Sequence, residues 1–196
     1  MTFTIYAFLG RKHAGKNTFA TQLRENALIE SETKEIAFAD HIKETLARMF
    51  NVKDKSVFYD QTKKETVKVF KDFTARDLME WYGSTMREKF GESFFADIAE
   101  RQIDMLYDRG FDSVIITDLR FSSEVDMIIN TKYKYHIFYV DRENELGPLP
   151  ANASDAEKAV GMTFEYMNNK NIPFTTIVNN DLPSNVYKDQ MAQSLN

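Results

Sequence analysis

Three stretches of this chain carry residues whose types and spacing suit phosphate chemistry. The first is "GRKHAGKNT", residues 10–18. Gly10, four residues, then Gly15 and Lys16 form the skeleton of a phosphate-binding loop. Glycines let successive backbone N–H groups turn inward around anionic oxygens, and the lysine reaches the β- and γ-phosphates. Arg11, Lys12 and Lys16 set three cations around the turn, which suits a triphosphate. Ala14 completes the turn, and His13 reads as a loop-tip residue rather than a proton shuttle. Asn17 stands where Ser or Thr ordinarily serves magnesium, and Thr18 follows it. The Asn17 carboxamide can bond a phosphate or a magnesium-bound water without adding charge. The bland alternative is a tight turn opening an ordinary βα unit. The second and third stretches are Asp118 to Arg120 and Asp141-Arg142, each ending a hydrophobic run.

The elements around these residues make the reading stronger. "TFTIYAFL" (2–9) is an apolar run suited to a strand buried on both faces, and it leads straight into the glycine loop. "GKNTFATQLRENAL" then reads as a helix, with Phe19, Leu23 and Ala27 at four-residue spacing. A second strand is expected over 34–40, and a helix follows in "HIKETLARMF". Residues 51–72 are charged and lack a clean period, so a mobile insert is expected there. A helix from an N-cap-like Thr74 to Gly91 comes next, then another closed by Gly110. "SVIITDLR" (113–120) reads as a strand, 122–130 as a helix and "KYHIFYV" as a strand. A loop is expected over 141–155, then the strand "FTTIV" and a closing helix over 184–195. Alternating strands and helices predict a parallel sheet with right-handed crossovers, whose ligands sit at the carboxyl ends of strands. All three charged stretches fall at such ends.

Composition narrows the function classes. The chain has 196 residues, 43% hydrophobic and 28% charged, as expected of a single globular domain. A net charge of −5 argues against binding a nucleic-acid polymer, because the surface repels phosphate backbones. There is no cysteine, which excludes disulfides and Cys-based metal sites and fits a reducing compartment. No long apolar run or signal-like N-terminus is present, so a cytoplasmic protein without membrane association is expected.

Taken in order, the loop, "FADHIKE", "ARDLMEWYGSTMREKFGESFFADIA" and "VIITDLRFSSEVDMI" resemble the deoxynucleoside monophosphate kinases of tailed bacteriophages. The resemblance spans nearly the whole chain. It implies an α/β three-layer P-loop kinase fold, with a central parallel sheet flanked by helices. It also implies one such domain over 1–196, with an acceptor-binding insert about 40–95 and a lid about 141–170. The implied activity moves the γ-phosphoryl of ATP to a deoxynucleoside 5′-monophosphate with Mg2+, in the host cytoplasm if the gene is viral. The implied partners are small nucleotides, and a homodimer is left open.

Residue by residue, the resemblance puts Lys16 on the β/γ-phosphates with Asn17 and Thr18 beside them. Thr18 and Asp118 would serve magnesium, the acid through water. Arg120 would contact phosphate, and Arg142, from the lid, would pack on ATP or reach the transferring phosphoryl; both are candidate catalytic residues. Asp40 and Lys43 stand where the family's acceptor site begins, with His41 at a position that is often proline. Arg76 and Arg87, three helical turns apart on one face, suit a monophosphate dianion. Trp81 is read equally as a base-stacking platform or a core residue, and Glu157 matches a lid-region glutamate. The bland readings are an N-cap or loop ion pair for Asp118, a surface ion pair for Arg120 and solvated helix arginines for Arg76 and Arg87.

Transfer to a phosphate oxygen needs no general base, which agrees with a candidate set rich in Lys and Arg. Two rivals stay open. One is the same fold acting on another acceptor, such as dephospho-coenzyme A or phosphomevalonate. The other is a nucleotide-gated binding or packaging module, which ATP turnover without a small acceptor would favour.

Overall fold

The computed structural model describes residues 3–25, 29, 32–142, 146–180, 191, 192 and 195. Its chain folds as two compact units, Met1–Ala37 with Ala99–Asn196, and Phe38–Ile98.

In the first unit, β1 (Thr4–Leu9) is buried at every position. It pairs in parallel with β5 (Ser113–Leu119) on one side and β6 (Lys134–Asp141) on the other. A strand with neighbours on both edges and cover on both faces has no use for polar side chains, hence the unbroken apolar run. β2 (Thr33–Ile36) flanks β5 and β7 (Thr175–Val178) flanks β6, both in parallel, giving the order β2-β5-β1-β6-β7. These edge strands each bury a single residue, Ile36 and Ile177. The chain leaves β1 toward one side of the sheet and later crosses to the other at β6. The crevice beyond the carboxyl ends of β1, β5 and β6 is therefore the switch point where α/β sheets bind ligands.

Helix α1 (Lys16–Glu25) packs its Phe19, Ala20 and Leu23 into a core with Phe8, Ile115, Phe138, Val140 and Ile177. The predicted continuation of this helix over 26–28 lies outside the described residues, as does most of the predicted helix over 184–195.

The second unit corrects two expectations. The strand expected over 34–40 stops at Ile36, and α2 (Phe38–Met49) begins at once. Phe38, Ile42 and Leu46 are buried at four-residue spacing, so the helical period overrides the apparent strand. Asp40 thus lies in a helical first turn and not at a strand end. Residues 51–72 form regular elements: α3 (Ser56–Tyr59), α4 (Gln61–Thr66) and the strand β3 (Lys68–Phe70), which pairs with β4 (Phe73–Thr74). Val57 and Phe58 anchor the segment in a cluster with Leu46, Leu78, Tyr82 and Phe95. The Asp60 side chain caps α4 by accepting from the Lys63 N–H.

α5 (Ala75–Phe90) starts at a capping box between Thr74 and Asp77 and stops at Gly91, where φ is +100°. The unit boundary falls inside α6 (Phe94–Asp108). α7 (Ser122–Asn130) and α8 (Asp155–Asn169) complete the helices used below. α8 occupies a stretch for which the sequence suggests no element. It turns Ala159, Val160, Thr163 and Met167 inward.

Candidate functional site

The loop between β1 and α1 is shaped by two close approaches. A Cβ at Gly10 would lie 2.8 Å from the Val140 carbonyl oxygen on β6, too near for any side chain. Gly15 has φ +101°, and a Cβ there would meet Asn179 Nδ2 at 2.6 Å. Asn179, buried just past β7, donates from that amide to the Ala14 carbonyl at 2.8 Å, and its own backbone N–H donates to Asp141 at 2.7 Å. It thereby ties the loop to the ends of β6 and β7. Sequence reasoning missed it, because a lone asparagine after a strand carries no motif.

Lys16 is only 8% exposed. Its Nζ donates to the Gly10 carbonyl at 2.6 Å and the Arg11 carbonyl at 2.8 Å, lying along the loop it belongs to. Burial lowers its ammonium from 10.5 to about 8; the Arg120 charge adds to this, and Glu157 and Asp118 partly offset it. Among the described residues, nothing accepts from the backbone N–H groups of Gly15, Lys16, Asn17 or Thr18. These donors open a helix, where the peptide dipoles add partial positive charge. Together they make an anion-binding concavity. The side chains of Asn17 and Thr18 are exposed beside it, as is His13 at φ +66°.

Arg120 follows β5 and is fixed from three directions. Its backbone N–H, and that of Phe121, donate to the same Glu124 carboxylate oxygen at 2.8 and 3.1 Å. Its carbonyl accepts from the Thr163 hydroxyl on α8 at 2.7 Å. Its Nη1 donates to Glu157 Oε1 at 2.6 Å. The other Glu157 oxygen accepts from the Lys12 backbone N–H inside the loop, at 2.9 Å. Glu124 and Thr163 were also missed, although a glutamate three residues into a helix is a recognisable start signal. Asp118, half-buried on β5, is close enough for its charge to act on Lys16.

The Arg142 guanidinium reaches the His13 carbonyl at 3.4 Å, a long contact. Arg11 donates to the Gly147 carbonyl at 2.5 Å, while its buried Nε has no hydrogen-bond partner among the described residues. The structure therefore brings together Gly10 to Thr18, Asp118, Arg120, Arg142 and Glu157 within one unit. No group of three or more His, Asp or Glu among the described residues could hold a metal by itself.

The remaining predicted residues belong to the second unit. Asp40 and Lys43 form an ion pair at 2.9 Å, with the Lys43 ammonium over the Tyr59 ring. Arg76 pairs with Glu65 at 2.9 Å, and the Arg87 guanidinium sits over the Phe95 ring. Eleven residues of helix span about 16 Å, so the shared face leaves these two guanidiniums on separate partners. Of the adjacent aromatics, Tyr82 is core and Trp81 is 51% exposed.

No protein-family model matches the sequence, and no curated protein matches it. Among solved structures, a sugar kinase from Janibacter sp. HTCC2649 aligns at 13% identity with a TM-score of 0.48, covering 100% of this chain and 95% of that one. Shikimate kinase from Acinetobacter baumannii, in complex with shikimate, aligns at 14% identity with a TM-score of 0.43, covering 97% and 91%. No helix of the described residues is long and apolar enough to cross a membrane. The fold follows from the chain's own geometry. A five-stranded parallel sheet flanked by helices, with a glycine loop joining its central strand to the first helix, is an α/β P-loop architecture.

Proposed function

We propose that this protein is a kinase that transfers the γ-phosphoryl of ATP to a deoxynucleoside 5′-monophosphate. The observation that carries the ATP half is Lys16, buried along a glycine loop whose next N–H groups are open, with Arg120 fixed close by. Lys16 and these N–H groups would neutralise the β- and γ-phosphates, and Arg120 and Arg142 the charge on the moving phosphoryl. The Thr18 hydroxyl and, through water, the Asp118 carboxylate are the groups suited to Mg2+. That ion takes one or two protein oxygens and fills its shell with water and substrate phosphates. Mg2+ would supply charge neutralisation on the phosphates.

The deoxynucleotide half rests on the sequence resemblance, which assigns Asp40, Lys43, Arg76, Trp81 and Arg87 to the acceptor. The acceptor-binding segment over 40–95 and the lid over 141–170 belong to the same proposal. A phosphate acceptor is ionised at neutral pH, so positioning and charge are enough for the reaction. The test is a screen of deoxy- and ribonucleoside monophosphates with ATP and Mg2+, with dephospho-coenzyme A and phosphomevalonate as further acceptors. Diphosphate product from a deoxynucleotide supports the proposal. Product only from another acceptor reassigns the substrate, and ATP turnover indifferent to every acceptor removes the kinase reading.

A further inference from the structure

Glu157 occupies the position of an anion on the phosphate loop. From the first turn of α8 it sends one carboxylate oxygen to the Lys12 N–H and the other to Arg120 Nη1. Its charge also acts on Lys16. A loop amide, an arginine beyond β5 and the loop lysine are the donors that a phosphoryl group would use, and a carboxylate satisfies them through the same kind of acceptor oxygens. Burial alone would raise this carboxyl, but the Lys12 N–H, Arg120 and Lys16 hold it below the ordinary glutamate value. It is therefore ionised at neutral pH.

A simpler role would be a brace that orients Arg120. Two observations argue against this as the whole account. The Arg120 backbone is already held by Glu124 and Thr163. A brace also has no need of the second bond, to an amide inside the loop. We infer that Glu157 is an internal competitor for the phosphate loop, so that a polyphosphate binds by displacing its carboxylate from Lys12 and Arg120. Displacement hands both donors to the incoming phosphate, which couples nucleotide binding to release of the first turn of α8 from the loop.

This inference rests on reading the loop as a polyphosphate site and not on the identity of the acceptor. The test is calorimetric binding of pyrophosphate to the unaltered protein and to Glu157→Gln, which keeps the size but removes the competing charge and leaves one acceptor oxygen for the two donors. The variant is expected to bind about tenfold more tightly, the order of one charge-assisted hydrogen bond. Equal or weaker binding by a folded variant makes Glu157 a brace and overturns the inference. A second measurement needs no variant. On saturation with pyrophosphate, the 13C carboxyl resonance of Glu157 should move to the position of a solvated glutamate, and a resonance that stays in place overturns the inference. Pyrophosphate binding to neither protein removes the loop reading and this inference together. Tighter binding by the variant without phosphorylation of any monophosphate leaves the inference standing and removes only the acceptor assignment.

Discussion

Lys16 should take up a proton when a nucleoside triphosphate binds. Its ammonium sits at about 8 in the structure, against an ordinary 10.5, chiefly because it is buried. A polyanion against it removes the electrostatic reason for that depression and should return it to the ordinary range or above. The uptake is then about 0.1 proton at pH 7 and about 0.7 at pH 8.5, and the apparent association constant falls about tenfold from pH 7 to pH 9. The last proton of a phosphate chain leaves near pH 6, so the ligand contributes little in this window. Calorimetry at pH 8.5 in two buffers of different ionisation enthalpy measures the uptake directly. Lys16→Met, which has no proton to gain, is the control. Uptake near zero at pH 8.5, or uptake preserved in Lys16→Met, would refute the argument. The same depression has a stability signature of definite sign. Between about 8 and 10.5 the unfolded chain holds a proton that the folded protein has released, so this group makes stability rise with pH across that window.

Further outcomes follow from the same geometry. Lys16→Met should abolish phosphoryl transfer without lowering the Tm at pH 7, since the buried charge is a burden on the fold; a variant that transfers at the parent rate would undo the loop assignment. Arg120→Ala should raise the KM for ATP as well as lower kcat, because that guanidinium is already fixed beside the loop. Arg142→Ala should lower kcat with little effect on ATP affinity measured without acceptor, and matching losses in both variants would merge their roles. Arg76→Ala should raise the KM for the monophosphate about tenfold to a hundredfold while sparing that for ATP. Asn179→Ala should weaken ATP binding about tenfold through loss of loop order, and equilibrium binding unchanged from the parent would reduce Asn179 to packing.

The loop and the sheet around it were legible because their signals are local. A glycine pair, a lysine, an apolar strand before and a four-residue period after all lie within 2–23. The start of α2 was equally local, in Phe38, Ile42 and Leu46, but "KEIAFAD" looks like a strand when read from its β-rich end. α3 and α4, of four and six residues, are too short to show a period; they are fixed by burial of Val57 and Phe58 and by the Asp60 cap. Asn179 was beyond reach for a different reason. Its partner is a carbonyl 165 residues away, and one amide donating to one carbonyl leaves no pattern in either segment. Glu157 was matched to the lid region by resemblance; its contacts with the loop and Arg120, 145 and 37 residues away, leave no pattern in the sequence.

The strand order also has a consequence for synthesis. β1, buried along its whole length, is made long before either of its sheet partners, since Thr4 pairs with Ser113 and with Lys134. At ribosomal rates of about 5–20 residues per second, it waits roughly 5–20 seconds for β5 to be made and longer for β6. During that wait both of its edges are unpaired, and α1 can cover only the face that carries Tyr6 and Phe8. The Phe38–Ile98 unit, whose core is drawn from within its own span, can consolidate in the meantime. Newly made chains are therefore expected to need chaperone shielding of residues 4–9 until the middle of the sheet arrives, and production without it should yield aggregates nucleated by that strand.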